Sequence, residues 1–546
     1  MFKGHPKGLI VAFFANMGER FGFYTMMAIL VLFLQAKFGK SAAEAGNIYS
    51  WFYFAIYGLA LVGGLMADRM QNYKGTILAG LVIMFAGYVI MAAPGMTETI
   101  TLVGLFTIAL GNGLFKGNLQ ALVGQMYDAP EYSKLRDSAF SIFYMGINIG
   151  AFFAPSAASG IRSWFLSSKG FGYDPDLPAL CHEIIKGQNA NITLFQSLAD
   201  KAAGHHVTDL VTFANNYLNV FVTGYNYAFG IAAIAMIIST ITFIIYKGKL
   251  PDRKKDAGKD STVSTMSKAE ESQRLVALIL VFIVVIFFWM SFHQNGLTMT
   301  FFARDYTVKM VDAFTYLFFD LKAFIAVIGA IFGIVLIAGK NYKGSTKGIG
   351  AALLVIGGAL TYYFYSHYPA LNPIEPEIFQ QFNPIFIVFL TPVVVWFFSK
   401  LNSKGIEPST PKKIGFGMIL AALGFIILLL GSFNLISPSM LNGQPSPDRV
   451  SVYWLISSYL TLTIAELFLS PMGLSFVSKV APPRFQGLMQ GGWLGATAIG
   501  NKLLFVGSSL WVAINIWQVW GILVACCLIS ALFIFSIMKR LENATK

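Results

Sequence analysis

Cysteine is almost missing from this chain. Cys181, Cys526 and Cys527 are the 3 among 546 residues, a number and spacing that support neither a disulfide framework nor a zinc site. Charge is scarce too. Asp, Glu, Lys and Arg make up 12% of the residues, about half the share usual in soluble domains. The two to four soluble domains that length alone would suggest are therefore excluded. No metal-ligand cluster, nucleophile–base motif or G-x-x-x-x-G-K-[ST] phosphate-binding loop is found, which argues against an enzyme and against an ATP-driven pump with its motor on this chain. No cofactor is expected. Lys3 and Lys7 precede the first apolar stretch without a small-residue cleavage site after it, so no cleavable signal peptide is expected.

Long apolar runs are abundant. Hydrophobic residues make up 56% of the chain and gather in stretches such as 79–94, 231–246, 275–292, 323–338, 414–431 and 519–538. A soluble core does not need repeated runs of about 20 apolar residues, whereas a bilayer span does. Hydrocarbon leaves backbone N–H and C=O groups no water to pair with, so these runs must be helices. The pattern predicts roughly fourteen spans: 9–36, 45–67, 76–94, 100–126, 138–160, 216–246, 272–303, 318–339, 349–367, 382–399, 414–435, 451–478, 486–511 and 514–538. With the N-terminus inside, inner loops hold about 26 of the 39 Lys and Arg residues and outer loops about 9. The net charge of +13 thus reflects topology and attraction to anionic lipid rather than nucleic-acid binding. Both termini are expected to be cytoplasmic.

Two connections are long. Residues 161–215 lie outside and include Cys181, His182, His205 and His206; a partly helical solvated loop is expected there rather than a metal site. Residues 247–271 lie inside and carry Lys247, Lys249, Arg253, Lys254, Lys255, Lys259 and Lys268. They read as a flexible linker lying on the anionic leaflet.

Seven ordered blocks carry a family resemblance. GGLMADR (63–69) resembles the major-facilitator loop between the second and third helices. GERFGFY (18–24), GNGLFKGN (111–118), FSIFYMGINIGAFFAP (140–155), FNPIFIVFLTP (382–392), PSTPKKIGFG (408–417) and AELFLSPMGLSFVSKVAPPRFQGLMQG (465–491) resemble signatures of the proton-dependent oligopeptide transporter (POT/PTR) family. The blocks cover nearly the whole chain. The resemblance implies an all-α polytopic fold with two six-helix bundles around a central cavity that opens alternately to each side. The N-terminal bundle would be 1–246, the linker 247–271 and the C-terminal bundle 272–546. The seventh core helix carries FFWMSFHQNG (287–296) and the eighth begins near Phe382. The extra pair of spans is therefore a hairpin at 318–367, with Lys340, Lys343 and Lys347 in its inner turn and a lipid-facing role expected.

Ionisable groups within spans are costly and mark function by default. The clearest are Glu19, Arg20, Lys116, His293, Glu466 and Lys502; Asp320 and Lys322 sit near a span end. Side chains of adjacent helical residues diverge by about 100°, so at least one of Glu19 and Arg20 should need a partner on another helix, with Lys116 expected opposite Glu19. The resemblance implies that these three load a proton and help hold a peptide carboxylate. It also implies that Glu466 receives the peptide amino terminus, an ammonium that a low-dielectric cavity pairs with a carboxylate. Pro471 is expected to disturb the helix beyond it. Tyr24, Tyr57, Asn148, Trp289, Asn383 and Trp493 match cavity positions of the family, where amides and phenols bond peptide backbone and indoles floor side-chain pockets.

The chain departs from the family pattern at three places. Asn16 replaces the usual first glutamate of the first-helix motif, Met27 a second arginine, and His293 the acid of the seventh helix. Relatives pair that arginine and acid as a gate. Losing both avoids stranding one buried charge, so a changed gate is expected, with His293 an alternative proton carrier or modulator. Lys502 has no role readable from sequence.

Three functions compete. The first is proton-coupled symport of di- and tripeptides across a plasma or bacterial inner membrane by a monomer. The second keeps the fold but carries modified peptides, cell-wall fragments or another small anion with altered coupling. The third is a transporter-like sensor, which would need a sizeable soluble domain.

Overall fold

The computed structural model describes residues 2–544 apart from 3, 128–129, 134, 189–190, 252–266, 340–341, 442–443 and 483–484. Most of the basic linker, including Arg253, Lys254, Lys255 and Lys259, and also Lys340 of the hairpin turn, lie outside the described residues.

The long helices are α1 (Gly8–Phe38), α2 (Ala42–Met70), α3 (Tyr73–Ala92), α4 (Glu98–Gln125) and α5 (Arg136–Ser168). Two short helices, α6 (Leu177–Ile185) and α7 (Ile192–Ala203), precede α8 (Leu210–Tyr246). Next come α9 (Lys268–Phe292), α10 (Thr298–Asp305), α11 (Leu321–Ala338), α12 (Gly344–His367), α13 (Phe382–Ser403), α14 (Thr410–Gly431), α15 (Val452–Val480), α16 (Gln486–Lys502), α17 (Leu504–Trp511) and α18 (Ile516–Ser536). Thirteen helices of the described chain are long and apolar enough to cross a membrane. The chain is an all-α, multi-pass membrane protein.

Two expected spans are broken. Residues 272–303 divide into α9, a 3-10 turn at His293–Gly296, and α10. Gly296 permits this turn to meet α2, because a Cβ there would stand 2.3 Å from Tyr49 Oη. Residues 486–511 divide at Leu503 into α16 and α17, beside Lys502. Its Nζ donates to Asn47 Oδ1 at 3.0 Å and Ser50 Oγ at 3.2 Å on α2. One expected span is longer: α5 runs on to Ser168 rather than ending near 160. Helix α15, expected over 451–478, covers Val452–Val480.

Among the first helices, α1 packs on α5 and α8, α2 on α4, and α3 on α4 and α8. The motif glycines make the α2–α4 contact: a Cβ on Gly63 would lie 2.2 Å from Gly113 O, and Asn118 Nδ2 donates to Gly63 O at 3.1 Å. Later, α14 packs on α15 and α18, and α9 on α16. Helix α2 meets α16 and α17, while α5 meets α13 and the Pro376–Gln381 turn ahead of it.

The hairpin helices α11 and α12 pack chiefly on each other, through backbone contact at Gly333 and Gly350. Asp320 caps α11 by accepting from Lys322 N at 2.7 Å. A short antiparallel ladder, β1 (Met310–Val311) with β2 (Asn372–Pro373), closes the base of the insertion. Between α5 and α8 the chain is helical and packed rather than only solvated: Leu177, Leu180, Cys181 and Phe195 are fully buried. His182 Nε2 lies 2.8 Å from Ala36 O, and His206 Nδ1 2.9 Å from Asp200 Oδ2. The histidines thus have local partners.

Candidate functional site

Glu19 and Arg20 are buried midway along α1. They pair with each other, and Glu19 also has the partner on a second helix that at least one of them was expected to need. Arg20 Nε donates to Glu19 Oε2 and Nη2 to Oε1, each at 2.5 Å. The long guanidinium stem bends back across the 100° between them and presents its planar fork to the carboxylate. The second helix in this contact is α4, but through Asn112 rather than Lys116: Asn112 Nδ2 donates to Glu19 Oε1 at 2.6 Å. Lys116, one turn further on, holds its Nζ 3.9 Å from the centroid of the Tyr57 ring, a cation–π contact. Among the described residues no carboxylate lies within ion-pair distance of it.

Glu466 on α15 is the opposite case. It accepts from Asn383 Nδ2 at 2.9 Å, and the same amide donates to Thr463 Oγ1 at 3.1 Å. Among the described residues no cation pairs with it. Phenols accompany these groups, with the Tyr57 ring against Lys116 Nζ. Tyr24 and Tyr57 are half-buried, and Tyr144 is exposed. The result is a cationic end at Arg20 and Lys116, with the Tyr57 ring beside it, and an anionic end at Glu466.

The remaining predicted residues divide. Trp289 stacks on His293 at 4.6 Å between ring centroids and 23° between planes, and Tyr53 of α2 lies 4.6 Å from His293 on its own contact. His293 Nδ1 and Asn501 Oδ1 are hydrogen-bonded at 2.5 Å. His293 is therefore a buried bridge between α9, α2 and α16, while Met27 is buried in the apolar core. Asn148 spends its Nδ2 on Tyr144 O of its own helix at 3.0 Å. Trp493 is buried with its ring on the backbone of Gly473, where a Cβ would meet it at 1.8 Å.

Sequence reasoning missed Asn112, Tyr53, Tyr144 and Asn501. All are polar groups in apolar stretches, and Asn112 and Tyr144 lie within blocks that carried the resemblance, which was the available signal. It also missed Arg162, Glu375 and Glu377, which form a buried ionic cluster between α5 and the turn before α13.

A family model described as the POT family matches residues 74–262 and 370–518. The dipeptide and tripeptide permease A of Citrobacter koseri is 26% identical over 519 residues, covering 91% of this chain and 83% of that protein. The peptide transporter YePEPT of Yersinia enterocolitica is 26% identical over 522 residues, covering 92% and 87%. An uncharacterized transporter of Bacillus subtilis, YclF, is 28% identical over 517 residues, covering 92% and 87%. Among solved structures, a peptide transporter POT in complex with alafosfalin superposes with a TM-score of 0.68 at 23% identity, over 100% of this chain and 97% of that one. A POT family transporter in complex with a thioalcohol-conjugated peptide gives 0.69 at 19% identity, over 100% and 98%. Helix count, motif order and family match agree: the chain belongs to the POT family.

Proposed function

We propose that this protein is a secondary active transporter that carries di- and tripeptides with protons by alternating access. The observation that carries the reading is a pair of unspent charges on different helices. Lys116 has no carboxylate and Glu466 no cation within ion-pair distance among the described residues. A zwitterion of limited length satisfies both ends, with its backbone against Tyr24, Tyr57 and Asn383. The names of the relatives, dipeptide and tripeptide permease and peptide transporter, support the same substrate class.

In this reading Arg20 and Lys116 receive the peptide carboxylate and Glu466 the amine. A carboxylate arriving at Arg20 competes with Glu19 for the guanidinium, and a proton on Glu19 releases it; this ties substrate to proton. His293 joins the halves beside Trp289. One pH unit supplies about 1.4 kcal/mol per proton and 100 mV about 2.3 more per charge, enough for roughly hundredfold accumulation. The halves are 1–246 and 272–546, joined by the basic linker and carrying the hairpin 318–367 toward lipid. The protein acts as a monomer in a plasma or bacterial inner membrane. The termini are cytoplasmic, and the end bearing α6 and α7 is outside.

The test is labelled dialanine uptake into proteoliposomes with and without an inward proton gradient. The native protein accumulates the peptide. In Glu466→Gln, which keeps the shape and the Asn383 contact, affinity falls about tenfold to a hundredfold, the worth of a charged hydrogen bond. Unchanged dialanine affinity in that variant would remove the amine site from Glu466. No uptake by folded native protein would reject the substrate class.

A further inference from the structure

A cavity of about 320 Å³ lies at the end that bears α6, and neither Lys116 nor Glu466 lines it. Small-molecule sites occupy about 300–1,000 Å³, so this one has room for a small ligand. Its walls come from both sides of the basic linker. Tyr173, Glu183 of α6 and Phe221 of α8 precede the linker, and Tyr306 and Gln444 follow it. Tyr173 and Phe221 stack at 5.8 Å between ring centroids and 14° between planes, which makes one wall flat and largely apolar. Tyr306, just past α10, is fully buried behind another.

Most polar groups along these walls are spent. Arg304 donates to Asp305 at 2.6 and 3.0 Å and to Gln35 Oε1 at 2.7 Å. Asp176 accepts from Lys309 and, at 3.3 Å, from Arg449. Lys40 pairs with Glu98 at 2.8 Å, and Tyr306 Oη donates to Ile436 O at 2.8 Å. Two acceptors are left. Gln444 Oε1 is buried with no hydrogen-bond partner. Glu183 is half-buried, and burial pushes its carboxyl up with no neighbouring charge to offset it. Lys186 is the cation left over on this wall, and it is exposed. A sheltered acceptor without a donor costs free energy, and a carboxylate beside aromatic surface suits an ammonium. A ligand carboxylate would instead meet Asp176, Glu183 and Asp305, with Lys40 and Arg304 already engaged.

We propose that this cavity is a second binding site, which takes a small organic ammonium without a carboxylate from the outer side. The N–H groups of the ligand bond the Glu183 carboxylate and Gln444 Oε1, and its apolar body lies against Tyr173, Phe221 and Tyr306. The occupant ties the chain before the linker to the chain after it, so it acts as an inhibitor. The binding stands without the transporter reading above; the inhibition rests on it. A ligand that binds only while these walls stand together raises the weight of that arrangement about tenfold at ten times its Kd. Transport that has to part the walls slows accordingly.

Two arms test it. The first is titration calorimetry of phenethylamine, a cation at pH 7.5, on the full chain in detergent. The protein carries Glu466→Gln, so the central carboxylate takes no part. Phenethylamine binds this protein, and adding Glu183→Gln, which keeps the shape, weakens binding tenfold or more, the worth of a hydrogen bond to a charged group. Ala179 of α6 also lines the cavity and is exposed, so Ala179→Trp fills the space without removing a core side chain and abolishes binding. No binding to the Glu466→Gln protein, or an affinity that either added substitution leaves unchanged, would overturn the site. In the second arm, outer phenethylamine slows dialanine exchange by native protein in proteoliposomes without a proton gradient severalfold. Glu183→Gln, read against its own rate without amine, is spared. Equal slowing of both would overturn the inhibitory role. Absence of any dialanine exchange by native protein would reject the peptide reading, while the calorimetric result would stand by itself.

Discussion

At the scale of single residues, the structure separates groups that are spent from groups that are free. His293 is spent. It is stacked by Trp289, faced by Tyr53 and bonded to Asn501, with no carboxylate beside it among the described residues. Its substitution should therefore act through packing. His293→Gln is expected to slow dialanine exchange by up to about tenfold, the worth of a lost ring contact, and to leave the outer-pH profile in place. A flattened profile would return the proton-carrier role to His293. Cys181 is a second spent group. Burial pushes its thiol up to about 12, and the thiolate is the reactive form. In folded protein at pH 7.5, Cys181 should resist maleimide and react once the protein is unfolded in detergent. Rapid labelling of the folded protein would show that α6 opens readily.

At the scale of elements, the closest contacts are made where glycine lets backbones touch. Gly63 of α2 leaves a Cβ only 2.2 Å from Gly113 O, whereas its neighbour Gly64 has nothing within 4 Å. Gly63→Ala should cost about 1–3 kcal/mol through overpacking, whereas Gly64→Ala should gain up to about 1 kcal/mol of helix propensity. Thermal unfolding in detergent reads both; equal midpoints would mean that α2 and α4 separate without cost. Elements are also where sequence was most and least informative. The bilayer demands apolar runs of a set length, so almost all the spans could be read directly. The end of α5 could not, because Arg162 interrupts the apolar run, and its partner Glu377 lies 215 residues away. The breaks at His293–Gly296 and Leu503 carry no proline. They are fixed by Tyr49, Asn47 and Ser50 on another helix, which no local pattern reveals. At the site, the Glu466–Asn383 contact joins two residues taken from separate motifs. The Lys116–Glu19 pairing failed because helical spacing fixes where a stem begins and not how far a guanidinium reaches back.

At the scale of the whole molecule, the chain before the basic linker and the chain after it meet at the end that bears α6 and α7. There the Arg162–Glu375–Glu377 cluster and the Asp176 ion pairs join them, and α2 runs against α17. Tight packing at that seam should make closure sensitive to volume. Gly46 of α2 is a close approach: a Cβ there would stand 2.0 Å from Ser508 Oγ and 2.4 Å from Ser508 Cβ. Gly46→Leu is a wedge that only the closed arrangement feels, because parting the halves at this end relieves it. The expected result is dialanine uptake reduced more than about tenfold, from over 1.4 kcal/mol of added closing cost, with faster labelling by a membrane-impermeant maleimide of a Ser156→Cys reporter in protein whose Cys181, Cys526 and Cys527 are changed to Ser. Gly160→Leu is the control. Gly160 lies on α5 two residues before Arg162, is exposed, and has nothing within 4 Å of its Cβ position. It should leave both readouts near native. If Gly46→Leu lowers uptake while the reporter labels no faster, the substitution has damaged the fold rather than shifted it. If uptake survives, α2 and α17 do not need to close for the cycle to turn. Only reduced uptake together with raised labelling fits a transporter whose rate depends on closing this seam.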